Sequence, residues 1–256
     1  MFMSTSEPKK RSTRPRKPID AKALRQRSGE AVPTYRAVTF DEVRKDPEIL
    51  SLIEGADRTL AAIGFTDHGI RHISRVASRA LFIAKQLNFA PRDREMTGIS
   101  AYLHDIGNSV HRSDHAQSSA ILAYTLLSRR GMDPLEIAAV MSAIGNHDEG
   151  VGEPVNNPSA ALILADKSDV MRSRVRSATP MLTRDIHDRV NYAATDSQME
   201  VDRAGRSITL SLTIDTRVSP VMEYFEIFLG RMAMCRRAAN FLNCDFFLVI
   251  NGTRLL

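Results

Sequence analysis

From about Asp46 the apolar positions of the chain recur at helical spacing, beginning with PEILSLIEGADRTLAAIGF and its Ile49, Leu50, Ile53, Leu60 and Ile63. Five further stretches read the same way: HGIRHISRVASRALFIAKQL, PRDREMTGISAYLHDIG, DHAQSSAILAYTLLSRR, DPLEIAAVMSAIGNH and NPSAALILADKSDVM. Pro91, Pro134 and Pro158 sit near predicted helix starts, where a missing amide hydrogen costs nothing, and Asp133 and Asn157 precede two of them as candidate N-caps. Residues 46–180 are therefore expected to form an all-helical bundle, and the lack of an internal repeat argues against a solenoid.

Near residue 190 the period changes from helix to strand. Ile208, Leu210, Leu212 and Ile214 alternate with Ser207, Thr209, Ser211 and Thr213, the pattern of a strand with one buried face. The preceding run NYAATDSQMEV joins it through Asp202–Arg206 as a hairpin. Pro220 opens an amphipathic helix to about Phe241, and Phe246–Ile250 reads as a buried strand ended by Asn251 and Gly252. The expected fold is mainly α, a helical bundle followed over residues 188–256 by a small α+β (β-β-α-β) unit suited to packing, to homodimer contact or to a lid.

Composition adds bounds rather than chemistry. The 256 residues are 43% hydrophobic, 25% charged and 6% aromatic, proportions of a soluble globular protein. No apolar run approaches the ~18 residues of a membrane span. Two cysteines, Cys235 and Cys244, are too few for a disulfide framework, and with no apolar leader in view the expected location is the cytoplasm. The net charge of +5 is concentrated: residues 1–30 hold nine Lys and Arg against three acids, which leaves −1 for residues 31–256. Residues 1–35, with SEPKKRSTRPRKP at their centre, are expected to be a disordered basic tail. Contact with nucleic acid is expected through this tail only, and a merely solvated terminus is the competing reading.

Candidate chemistry falls on His72, His104, Asp105, His115, His147 and Asp166, at positions that a bundle could bring together. Imidazole and carboxylate form a ligand set for Mn, Fe, Co, Ni, Mg or Zn. A lone helical histidine is more often a surface or core residue. The adjacent His104-Asp105 pair, at the end of an apolar helix and followed by Gly107, raises the case here.

With its surroundings, this pair resembles the HD superfamily of metal-dependent phosphohydrolases. The matching stretches are RHISRVASRALFIAKQL with His72, AYLHDIGN with His104 and Asp105, and LILADKSDVM with Asp166, in the H…HD…D order. DHAQSSAILAYTLL with His115 and VMSAIGNHDEG with His147 are similar to the additional histidine motifs of the binuclear ribonuclease Y and HD-GYP branches. The resemblance implies one or two divalent metal ions: His72, His104, Asp105 and Asp166 at the first, and Asp105, His115 and His147 at the second. It further implies hydrolysis of a nucleotide or other small phosphate ester by a metal-activated water, with Asp105 as a catalytic residue. The chain departs from HD-GYP proteins at Asn108-Ser109 and His147-Asp148 and lacks the GYP signature, which disfavours cyclic dinucleotide hydrolysis by that route. Nor does it show the KH module of ribonuclease Y, so that RNA substrate does not transfer.

Around the six ligands, Lys167 and Arg172 are expected as catalytic partners of substrate phosphate, with His68, Asn108, Arg174 and Arg176 as weaker substrate contacts. Arg172, Arg174 and Arg176 cannot all point one way, so only one or two are expected to reach substrate. His68, four residues before His72, competes with a surface role; His111 reads as a loop residue and His187 as structural, while Asn146 and Glu149 are candidates for orienting the imidazoles. Two other functions stay open at this level: a nucleotide-binding regulator with little turnover, and an RNA-directed nuclease assisted by the tail.

Overall fold

The computed structural model describes residues 34–176 and 186–255, so the expected tail lies almost wholly outside the described residues. Side-chain caps set where four of the described helices begin. After α1 (Phe40–Lys45), Asp46 accepts from the amides of Glu48 and Ile49 and starts α2 (Pro47–Ala62). α3 (Ile70–Gln86) and α4 (Pro91–Leu103) follow, then a 3-10 turn (Ile106–Ser109) and α5 (His115–Arg129). Asp133 caps α6 (Pro134–Gly145) through the Leu135 amide, as the sequence predicts. The cap of α7 (Asn157–Lys167) is Asn156, one residue earlier than expected, because Asn156 keeps an extended backbone and accepts from Ser159 while Asn157 is already helical. α1 escaped the sequence pattern because six residues are too few to show a period; a capping box of Thr39 and Glu42 holds it.

Helix α7 is the axis of the bundle, packed on α3, α4, α6 and the later helix Val221–Phe241. Pro158 to Ala165 and Lys167 are all buried, so its sequence is apolar almost all round rather than on one stripe. In α2, Ile49, Ile53 and Leu60 face the core, whereas Leu50 and Ile63 are exposed.

Beyond the bundle come α8 (Ile186–Ala193), β1 (Ala194–Asp202), β2 (Ser207–Ile214), α9 (Val221–Phe241), β3 (Asp245–Ile250) and β4 (Thr253–Arg254). β1 and β2 form the predicted hairpin, and β3 returns parallel to β2 after the α9 crossover, pairing Ile208 with Phe246, Leu210 with Leu248 and Leu212 with Ile250. The predicted β-β-α-β order gains a fourth, two-residue strand, since Asn251 and Gly252, both at positive φ, reverse the chain. The apolar face of the sheet, α9 and α7 share one continuous core, and the described residues from Tyr35 onward pack as a single unit. Among the described residues no helix is long and apolar enough to cross a membrane.

Candidate metal centre

Six side chains meet at one end of the bundle. His72 lies in the first turn of α3, His104 caps the end of α4 with Asp105 next to it, His115 begins α5, His147 follows α6, and Asp166 closes α7. Three of the imidazoles are aimed by the same local device: Nδ1 donates to the carbonyl three residues earlier, His104 to Ala101 at 2.9 Å, His115 to Arg112 at 3.1 Å and His147 to Ile144 at 2.6 Å. The fourth, His72, donates through Nδ1 to Asp169 Oδ2 at 2.7 Å.

Carbonyl and carboxylate oxygens only accept, so each Nδ1 carries a proton, and in a neutral ring Nε2 presents its lone pair. Those lone pairs converge on further acceptors. His72 Nε2 is 3.5 Å from Asp105 Oδ2 and 3.4 Å from Asp166 Oδ1, and His104 Nε2 is 3.3 and 3.7 Å from the same two oxygens. His115 Nε2 faces the other oxygen of Asp105 at 3.4 Å and His147 Nε2 at 3.2 Å. The Nε2 atoms of His72 and His104 and Oδ2 of Asp105 are buried without a hydrogen-bond partner. Buried acceptors that face one another call for a cation or a proton between them. His72, His104 and Asp166 form one group with metal-ligand spacing, and His104, Asp105 and His147 another.

The acid–base balance expresses the same demand for positive charge. Burial and Arg174 oppose a charged His72, yet the surrounding carboxylates of Asp105, Asp166 and Asp169 carry its pKa up to about 9. Burial likewise opposes a charged His104, but Asp105 and Asp166 raise it to about 10. His147 is pushed well below the usual range by burial and by His104, and His115 is lowered by burial. Although burial alone would protonate Asp105 and Asp166, His104 and Lys167 respectively lead the charges that hold them ionised.

The wider set divides. Lys167 is buried, with Nζ 2.8 Å from Asp166 and 2.7 Å from Glu149, and Asn108 donates to the carbonyl and carboxylate of Asp105. His68 stacks edge-on against His72, and Arg174 is buried between the Asp67 and Asp169 carbonyls; both border the centre. Arg172 and Arg176, expected at substrate, are held elsewhere. Arg172 donates to the Tyr192 carbonyl and stacks on that ring, and Arg176 pairs with Asp57. His111 is exposed in its loop, and Asn146 donates to the Ser142 carbonyl rather than to an imidazole. The sequence reading passed over three residues. Asp169, one turn beyond Asp166, was findable as a second carboxylate on the same helix end; Arg112 and Arg231 carried no local signal.

Residues 69–171 match the HD domain family and enclose all six converging residues. An uncharacterized protein of Methanocaldococcus jannaschii is 27% identical over 170 residues, 58% of this chain; the chain spans 65% of that relative's length. A crystal structure of a predicted HD superfamily hydrolase from an uncultured Thermotogales bacterium is similar at 29% identity, covering 51% of this chain and 69% of that one, with a TM-score of 0.41.

Proposed function

We propose that this HD domain protein is a divalent-metal-dependent hydrolase of small phosphate esters, nucleotides among them. The observation that carries the reading is the buried convergence of four imidazole Nε2 atoms and two carboxylates at one end of the bundle. His72, His104, Asp105 and Asp166 would hold one ion, and Asp105, His115 and His147 would hold a second. What a divalent cation supplies at such a centre is Lewis acidity toward a phosphoryl oxygen and acidification of a water.

The chain's own residues do the rest. Asp169 fixes the His72 ring and its tautomer, and Asn108 fixes the Asp105 carboxylate. Lys167 keeps a permanent positive charge beside Asp166, since its carboxylate neighbours outweigh burial and hold its pKa above the usual value. That ammonium is placed to orient a phosphoryl group without giving up its proton.

Elemental analysis of protein purified without chelator, followed by a metal-supplemented screen of phosphate mono- and diesters, tests the proposal. Bound transition metal and turnover are expected, both lost in a His104→Ala/Asp105→Ala double variant. Full metal content and full activity in that variant would overturn it.

A further inference from the structure

Beside the centre lies a cavity of about 390 Å³ that no sequence motif marks. It shares His68, Arg112, Arg174 and Arg231 with the walls of the centre itself, so the two spaces adjoin. These residues come from four separate places in the chain, and Arg231 from helix α9, outside the matched HD region. The C-terminal unit therefore supplies a wall of the space next to the ligands.

The wall sets three guanidinium groups, of Arg112, Arg174 and Arg231, against the carboxylates of Glu149 and Asp188. Glu149 accepts from Arg231 Nε at 2.8 Å and from Lys167 Nζ at 2.7 Å, and Lys167 is paired with Asp166 as well. Arg231 makes no other hydrogen bond with a described residue, and its guanidinium lies over the Phe228 ring at 4.7 Å. Arg112 makes no ion pair with any described residue: it donates to the neutral Asn108 amide oxygen at 3.2 Å and lies over the Phe65 ring at 5.5 Å. Arg174 is spent on main-chain carbonyls. Half-buried guanidinium groups that stack on aromatic rings and keep free N–H donors are receptors for phosphate oxygens. Toward solvent the lining turns apolar, with Ile63 and the exposed face of Phe65. The volume falls at the small end of the ~300–1,000 Å³ typical of small-molecule sites.

Resting on the reading of the centre as a phosphoesterase, we propose that this cavity binds a phosphate monoester with an apolar or aromatic body. Arg112 and Arg231 select its dianionic head, and the Ile63–Phe65 side receives the body. Glu149 holds Arg231 in place as its counter-ion. The C-terminal helix is thus a specificity element of the hydrolytic site.

The test uses the full chain with saturating Mn2+ and phenylphosphonate, whose P–C bond does not hydrolyse, against uncharged benzyl alcohol, by titration calorimetry. Arg112→Gln and Arg231→Gln should each weaken phenylphosphonate by about tenfold or more while leaving benzyl alcohol and metal content unchanged. Arg231→Lys should recover most of the loss, and Arg217→Gln, a remote exposed arginine, should bind as the wild type does. Equal phenylphosphonate affinity in wild type and both glutamine variants, or none in the wild type, would overturn the proposal. A loss of benzyl alcohol and metal in step with phenylphosphonate would reduce Arg231 to a structural role and would also overturn it. Arginine-dependent binding with no phosphoester turnover would uphold the cavity and sink the phosphoesterase reading; turnover with unchanged KM in both glutamine variants would do the reverse.

Discussion

His115 and His147 point their Nε2 atoms at each other across 3.2 Å, although each ring already donates through Nδ1 to a main-chain carbonyl. Two buried lone pairs in that position repel unless a cation or proton lies between them. His147→Leu should therefore reverse its effect with metal. In chelator the variant should match or exceed wild-type stability; in saturating Mn2+ it should fall below it, by about 1–3 kcal/mol in each direction at most. Thermal unfolding in both buffers reads this, and an equal loss in both would contradict the lone-pair argument.

Asp169 acts on the centre through His72. Removing it in Asp169→Ala leaves the buried Nδ1–H without an acceptor, a cost of about 1–3 kcal/mol, and frees the ring to turn. Mn2+ affinity by equilibrium dialysis should drop ~10–100-fold, as for other residues that orient metal-bound imidazoles. Asp169→Asn, which keeps an acceptor oxygen, should fall between; wild-type affinity in the alanine variant would remove Asp169 from the site.

Gly107 is required for close approach, not for a helix stop. A Cβ there would lie 2.3 Å from the His115 carbonyl oxygen and 2.5 Å from the Ser119 amide nitrogen, both of them backbone atoms. Gly107→Ala must push α5 away, carrying His115 from Asp105, and should cost about 1–3 kcal/mol or more together with metal affinity. Gly55→Ala, inside α2 with nothing within 4 Å of the added atom, should instead stabilise by about 0.5–1 kcal/mol. Denaturant unfolding of the two variants compares them directly, and equal midpoints would refute the packing argument.

Glu42 ties the start of α1 to pH. Its carboxylate accepts from the Thr39 amide and pairs with Arg36, which takes its pKa from 4.5 to about 2. A depressed carboxylate pKa contributes stability above the unfolded value that disappears as pH falls through the folded one. Glu42→Gln should be less stable than the wild type at pH 7, and the gap should close between pH 4.5 and about 2. A gap independent of pH would show that the charge contributes nothing; being largely exposed, the pair has a small effect.

Much of the centre was legible in the chain because its geometry is local. Three of the four imidazoles are aimed by a carbonyl three residues back, and Asp46, Asp133 and the prolines start helices through contacts within one turn. The period-two run Ile208–Ile214 likewise declared its buried face. Sequence therefore determined the helical bundle, the small sheet, and which six side chains meet at the helix ends. Tertiary structure alone decided what crosses the chain: Asp169 reaches back 97 positions to His72, Arg231 reaches 82 to Glu149, and Arg172 and Arg176 turn to Tyr192 and Asp57. A long cationic side chain has many rotamers and no local acceptor that fixes it, so its partner is chosen only when packing brings distant segments together.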